Sequence, residues 1–246
     1  MTLNAVGVVC ALAAEARHLG RATHRHEFPR ALADGTLLAV SGMGKAAAAK
    51  CAKALIDAGA TALASWGMAG GLDPALAAGT IFLPSEVISS DGVSVTTAPQ
   101  WRERLGSALM THRPLTRGKL LTSPTAIGSP ADKATLFRET GAAAVDMESL
   151  AVAEIARTHQ LPFIAVRVIV DSAADALPHA VTAAADREGQ LQIWRLMGAL
   201  ARAPADLAPL IRLARRYRAA NRSLAAVARV GSLAPYAFSA VSDRVQ

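Results

Sequence analysis

The sequence has few aromatics, two cysteines and no long unbroken apolar run. Aromatics are 4% of its 246 residues, with no aromatic–basic interleaving, RNP-like motif or zinc-finger spacing. These absences argue against the common nucleic-acid modules, although the formal net charge is +7. Cys10 and Cys51 lie in apolar contexts and read as two buried thiols of a reducing compartment, not a disulfide or metal pair. The histidines are scattered, His24 and His26 being the only close pair, so no metal site is expected. The longest uncharged stretch, 58–72, is broken by glycines and too short to span a bilayer. The start, "MTLNAVGVVCALAAEARHLG", lacks a basic leader and soon meets Glu15; it reads as a first strand rather than a signal peptide. A soluble, cytoplasmic protein is expected. Acids are also scarce late in the chain: beyond Gln190 only Asp206 and Asp243 occur among many arginines. Such a basic end suits an anionic partner or membrane surface, or simply a solvated helix face.

What is abundant is apolar material, 52% of the chain. That is ample for one core, and the length suits one large α/β domain. "AVGVVCAL", "TLLAVSG", "TALASWGMAGGL", "GTIFLPSEVISS", "GVSVTT", "GKLLTSPTAI", "AAAVDM" and "PFIAVRVIVD" read as strands or strand–turn units. "KAAAAKCAKALIDAGA", "PQWRERLGSALM", "SPADKATLFRET" and "ESLAVAEIARTHQ" read as helices, the third with Ser129 as N-cap. Near-continuous apolar strands alternating with helices predict an α/β fold, a mainly parallel mixed sheet flanked by helices. A single domain over 1–230 is expected, with a basic helical extension from about 187 and a tail at 231–246.

Ligands of such sheets bind where strands end. "SGMGK" (41–45) is a Gly-rich turn into a helix, suited to a tight turn or to close approach of a ligand at Gly42. "WGMAGGLDP" (66–74) crowds glycines after an apolar run, as a bend or as a site wall. In "VDMES" (145–149), Glu148 can accept two hydrogen bonds from a vicinal diol, whereas Asp146 better fits a charge complementing a helix N-terminus. "RVIVDSAAD" (167–175) ends an apolar strand in Asp171, where burial favours the protonated acid; capping of a following helix is the alternative.

In this order and spacing, "SGMGK", "WGMAGGL", "VDMES" and "RVIVDSAAD" resemble the purine nucleoside phosphorylase/nucleosidase superfamily, over about Val6 to Arg195. The sequence is similar to methylthioadenosine/S-adenosylhomocysteine nucleosidases. Through "GMAGGLDPAL", "AVDMES", "LPFIAVRV" and its Arg-rich end it most resembles the hopanoid-associated branch. The resemblance implies a three-layer sandwich, a homo-oligomer (a dimer) and cleavage of a purine N-glycosidic bond, here release of adenine from adenosylhopane. It implies that Glu15 orients the attacking water, Asp171 protonates purine N7, Met147 lies against the ribose and Glu148 holds its hydroxyls. Gly67, Met68, Ala69 and Gly70 would wall the ribose and base. Ala126 or Ile127 stands where an aromatic would stack on the base. Met68 and Val170 replace serines of the nucleosidases, which makes the pocket more apolar.

No cofactor is expected: water is the nucleophile, and phosphate enters only in a phosphorylase. The phosphorylase branch places an Arg before its Gly turn, where this chain has Ser65-Trp66-Gly67. Arg17 is then the nearest candidate cation, and Glu15 would repel phosphate, so hydrolysis is favoured. A phosphorylase, a methylthioadenosine nucleosidase and a non-catalytic nucleoside-binding module are the alternatives. In "DLAPLIRLARRYRAANRSLAAVARV", Leu207, Leu210, Ile211, Ala214, Tyr217, Leu224 and Val227 share one helical face, with Arg212, Arg215, Arg216, Arg222 and Arg229 mostly off it. That pattern fits a helix packed on the domain, or one touching an anionic membrane peripherally.

Overall fold

The structure is a computed structural model describing residues 5–20, 29–109, 115–176, 207–230 and 233. Its hub is a strand of twelve residues, β4 (Ala60–Gly71), buried along most of its length. On one side it pairs in parallel with β1 (Ala5–Cys10), from Val6 opposite Ala62 to Cys10 opposite Trp66. On the other it pairs in parallel with β11 (Phe163–Asp171), from Phe163 opposite Leu63 to Ile169 opposite Ala69. Its last residues also pair antiparallel with β10 (Ala142–Asp146). The ends of β10 and β11 therefore converge on the glycines of β4.

The sheet continues outward from β1 through β3 (Leu37–Val40) to β2 (Arg30–Ala31). From β10 it continues through β9 (Lys119–Thr122) and β6 (Glu86–Ile88) to β7 (Ser94–Thr96). β5 (Ile81–Phe82) joins β11 to β8 (Leu115–Thr116). Parallel pairings predominate, as the apolar runs predict, with antiparallel pairs at β2, β5, β7 and β10.

Alternation along β1 sends side chains into two cores. Val9 joins a cluster with α2 (Lys45–Asp57) and α5 (Ser149–Thr158), including Leu55, Leu150 and Val152. Val8 and Cys10 join the opposite cluster with Trp66, Val166 and Val168, covered by α3 (Pro99–Leu109) and α6 (Leu207–Val230). The result is the expected three-layer sandwich. α2 packs so closely that a Cβ on Gly7 would lie 2.9 Å from the Leu55 Cβ. Leu55 is fully buried; Leu55→Ala would cost about 2–5 kcal/mol. Cys10 and Cys51 are both buried.

Three local expectations are corrected. The glycines of "WGMAGGL" do not end the strand: β4 runs through them to Gly71, because β10 and β11 supply its hydrogen bonds. "GTIFLPSEVISS" is two strands, β5 and β6, parted at Pro84 and paired with different neighbours. Pro84 lacks the N–H that a continuous ladder needs. A one-turn helix unforeseen in the sequence, α1 (Ala13–Ala16), carries Glu15.

α4 (Pro130–Thr140) begins as expected, Ser129 Oγ accepting the Asp132 N–H, and ends at Gly141 in the left-handed region, φ 64°. Within the basic end, 187–206 and nearly all of the 231–246 tail fall outside the described residues. α6 docks through its C-terminal half, burying Ala220, Ser223, Leu224 and Val227. Ile211 in its N-terminal half is 46% exposed, and Ala214 is exposed too, so the apolar face inferred from periodicity is only partly used. Among the described residues no helix is long and apolar enough to cross a membrane.

Candidate active site

At the meeting of β4, β10 and β11 lies a cavity of about 190 Å³. It is lined by Ala11, Leu12, Glu15, Met43, Met68 to Gly70, Thr125 to Ile127, Val145 to Glu148, Val170 and Asp171. The fold thus gathers Glu15, Asp171, Met147, Glu148, Met68, Ala69, Gly70 and Ile127 around one space. Gly42 and Gly67 are not in that lining. Gly42 forms the turn before α2 (φ 80°), and Met43 faces the cavity in its place. Gly67 sits behind Glu15, where a Cβ would lie 2.7 Å from Oε1.

Glu15 is buried, and both of its oxygens are held by backbone. Oε1 accepts the Met68 N–H at 2.8 Å and Oε2 the Leu12 N–H at 3.1 Å. The short α1 turn brings the carboxylate back over the Gly67–Met68 step. The indole Nε1 of Trp66 donates to the Glu15 carbonyl at 3.2 Å. Burial pushes the Glu15 carboxyl above its ordinary range, opposed by the Arg167 charge and these N–H groups.

Glu148 stands at the residue before α5, but its side chain does not cap that helix; it crosses to the Gly-rich turn, where the Gly44 N–H donates to Oε1 at 2.8 Å. Oε2 receives no hydrogen bond from the described residues and is available to a ligand's hydroxyls. Burial first, and the nearby Asp146 charge second, push its carboxyl from 4.5 up to about 7.

Asp146 does more than complement a helix. It accepts the Ser149 N–H at the start of α5, as a helix-end charge would, at 3.2 Å. It also receives Thr122 Oγ1–H at 2.8 Å and the Arg167 guanidinium through Nε at 2.9 Å and Nη2 at 2.8 Å. Arg167 further donates to Ser65 Oγ at 2.6 Å and Ser149 Oγ at 2.9 Å. This network clamps β10, β11 and β4 together beneath the cavity. Arg17, the candidate cation of the sequence, instead bonds Asn221 on α6 at 3.1 Å and does not line the cavity. His18 bonds the same Asn221 oxygen at 3.0 Å and is not a free surface group.

Asp171 lies where the β4–β11 register shifts, next to Gly70. A Cβ on Gly70 would come within 3.4 Å of Asp171 Oδ1, so the small residue leaves room for the carboxylate. Lys133 on α4, fully buried, donates to Asp171 Oδ2 and to the carbonyls of Ser172 at 2.9 Å and Asp175 at 3.0 Å. Burial raises the Asp171 carboxyl, and the Lys133 ammonium pulls it back. Asp175 closes a turn after β11: its Oδ2 accepts the Ser172 N–H at 2.9 Å, and it also pairs with Arg216 of α6 at 2.7 Å.

Lys133, Arg167 and Met43 were not singled out from the sequence. Arg167 had a signal: a cation inside the apolar run "FIAVRVIV" requires a buried partner. Lys133 had none, because "ADKATLF" reads as an ordinary helix surface.

Chemically, the cavity offers a fixed carboxylate that can orient water, one that can grip hydroxyls and a buried acid at its rim. Met43, Met68, Ile127 and Val170 give it apolar walls. The family described as "Phosphorylase superfamily" matches residues 5–202. A 5'-methylthioadenosine/S-adenosylhomocysteine nucleosidase of Baumannia cicadellinicola is 32% identical over 163 residues, 58% of this chain and 70% of that protein. The futalosine hydrolase of Helicobacter pylori superposes with a TM-score of 0.68 at 15% identity, covering 93% of this chain and 97% of that one. The nucleosidase of Neisseria meningitidis, solved with methylthio-immucillin-A, gives 0.67 at 21% identity, covering 94% and 100%.

Proposed function

The chain belongs to the phosphorylase superfamily, and from that premise we propose that it hydrolyses the N-glycosidic bond of an adenosine-type nucleoside. One observation carries the reading: Glu15, Glu148 and Asp171, from three distant parts of the sequence, line one cavity with Met147 between β10 and α5. A purine anion leaves poorly, so Asp171 donates a proton to N7 as the bond breaks. The ribose becomes oxocarbenium-like, and Glu148 holds its hydroxyls while the buried carboxylates favour the developing positive charge. Glu15, fixed by two N–H groups, orients a water for attack on the anomeric carbon and takes the proton that the water loses as the C–O bond forms. The products are adenine and the free sugar. Glu15, a carboxylate of the cavity lining held by two backbone N–H groups and no cation, repels a phosphate dianion and supports water as the nucleophile over phosphorolysis.

The substrate within this class is adenosylhopane, a lipid-linked adenosine. The apolar walls at Met43, Met68, Ile127 and Val170 support it. Methylthioadenosine, named for the Baumannia relative, is the second reading. The deciding experiment compares adenosine, methylthioadenosine and adenosylhopane, each with and without phosphate. Adenine release fastest from adenosylhopane and indifferent to phosphate is expected. Preference for methylthioadenosine selects the second reading, and ribose-1-phosphate as product selects a phosphorylase.

A lipid-linked substrate also entails a meeting with the membrane surface. Exposed Ile211, Arg212, Arg215 and Arg218 on α6 are the proposed contact. Flotation with anionic liposomes at low salt should recover the protein, and Arg212→Glu with Arg215→Glu should abolish recovery. A homodimer belongs to the same proposal and is read by light scattering on the eluting protein.

A further inference from the structure

Lys133 is a charged side chain with no exposure, yet it does not line the cavity. An ammonium has three protons to donate, and this one places all of them within five residues: on Asp171 and on the carbonyls of Ser172 and Asp175. The segment that follows β11 is therefore wrapped around the Lys133 head. The wrapping is fastened from outside. Asp175 Oδ2 takes the Ser172 N–H at 2.9 Å and Oγ–H at 2.7 Å, while Oδ1 pairs with Arg216 of α6 at 2.7 Å. α6 is in turn seated on the domain by Leu224 and Val227, and by Ser223 Oγ donating to the Gly79 carbonyl at 2.7 Å.

We propose that Lys133 is a positioning residue for the acid Asp171, and that the Asp175–Arg216 ion pair ties this arrangement to α6. The inference rests on Asp171 acting as the acid in the hydrolysis above. Its chemistry follows from what Asp171 must do. A buried carboxylic acid holds its proton well but releases it reluctantly, because release leaves a desolvated anion. An ammonium against the same carboxyl stabilises that anion as the proton moves to the purine. It also fixes the direction in which the other oxygen points. The charges that face Asp171 are Lys133 from α4, Asp175 from its own segment and Arg216 from α6; across the cavity stand Asp146 and Glu148 at β10 and Glu15 on α1. Among the charged groups of the described residues, only Lys133 bonds it.

The test uses Lys133→Met, nearly isosteric and uncharged, and Arg216→Gln on the half-exposed rim. For Lys133→Met, kcat for adenine release should fall about 10- to 100-fold with KM within about twofold, the scale of one mispositioned acid. The alkaline limb of the kcat–pH profile, where Asp171 loses its proton, should move to higher pH. Arg216→Gln should show the same signature in weaker form, a fall of roughly 3- to 10-fold with the limb moved the same way. Should Lys133→Met fail to fold, Arg216→Gln alone decides. An unmoved alkaline limb in every folded variant overturns the proposal, since a purely structural lysine would lower stability without moving it. If Asp171→Asn keeps normal turnover, the hydrolytic reading itself has failed; if Asp171→Asn is inactive while the limb stays fixed, only the role of Lys133 has.

Discussion

Gly67 and Glu15 lie so close that the smallest side chain on Gly67 would place its Cβ 2.7 Å from Glu15 Oε1 and 2.9 Å from Oε2. The carboxylate is seated against bare backbone, and the next N–H, that of Met68, completes its hold. Gly67→Ala must push Glu15 off this seat. The expected result is a loss of roughly 10²-fold in kcat, the scale of a displaced positioning group, with binding of a nucleoside analogue nearly kept. Glu15→Gln should show the same split. Steady-state adenine release beside calorimetric binding of the analogue checks both.

Asp171→Asn removes the proton donor while keeping the shape. Turnover should fall roughly 10²- to 10⁴-fold. The fall should be smaller for a nucleoside whose purine leaves readily without protonation. Comparing such a substrate with adenosine separates loss of acid catalysis from general damage.

Glu148 gives two pH signatures of opposite use. Its carboxyl titrates near 7 because of burial and Asp146, and it must be ionised to accept two ribose hydroxyls. The kcat/KM therefore falls as pH drops through about 7, and Glu148→Gln flattens that limb while lowering the plateau. Stability runs the other way. Between the ordinary value of 4.5 and about 7, the folded form keeps a proton that the unfolded chain releases. The contribution to stability is full below the unfolded value and is lost as pH rises through about 7. Glu148→Gln should thus stabilise the fold more at pH 8 than at pH 5, by on the order of 1–3 kcal/mol. Thermal melts at the two pH values measure it.

Much of this arrangement was legible in the sequence, and the reasons can be named. β1, β4 and β11 read as strands because their apolar runs are buried on both faces. Glu15, Glu148 and Asp171 stood out because a carboxylate beside such a run needs a purpose. The path of β4 through its glycines was not legible, since those glycines reflect the close approach of Glu15 and Asp171, which are remote in sequence. Lys133 was hidden for a related cause: its partners lie 38 to 42 residues away, and its own helix looks solvated. Gly42 was overread; the turn it makes is real, but Gly44 supplies the N–H that reaches Glu148.

Arg167 and Asp146 provide a test of the scaffold beneath the site. Both are almost fully buried and paired. Arg167→Met strands the Asp146 carboxylate with only Thr122 and Ser149 as donors among the described residues. A loss of about 3–5 kcal/mol is expected, as for other broken buried pairs. Adding Asp146→Asn should recover part of it. Urea denaturation of the single and double variants reads the coupling.

The claim at the centre is that water, oriented by Glu15, attacks the sugar. It is tested most directly by running the reaction in water labelled with heavy oxygen, with and without phosphate, and weighing the sugar after one turnover. Free sugar carrying one labelled oxygen at the anomeric carbon is expected, formed at the same rate in both conditions and lost in Glu15→Gln. Unlabelled sugar-1-phosphate, appearing only when phosphate is present, would contradict it.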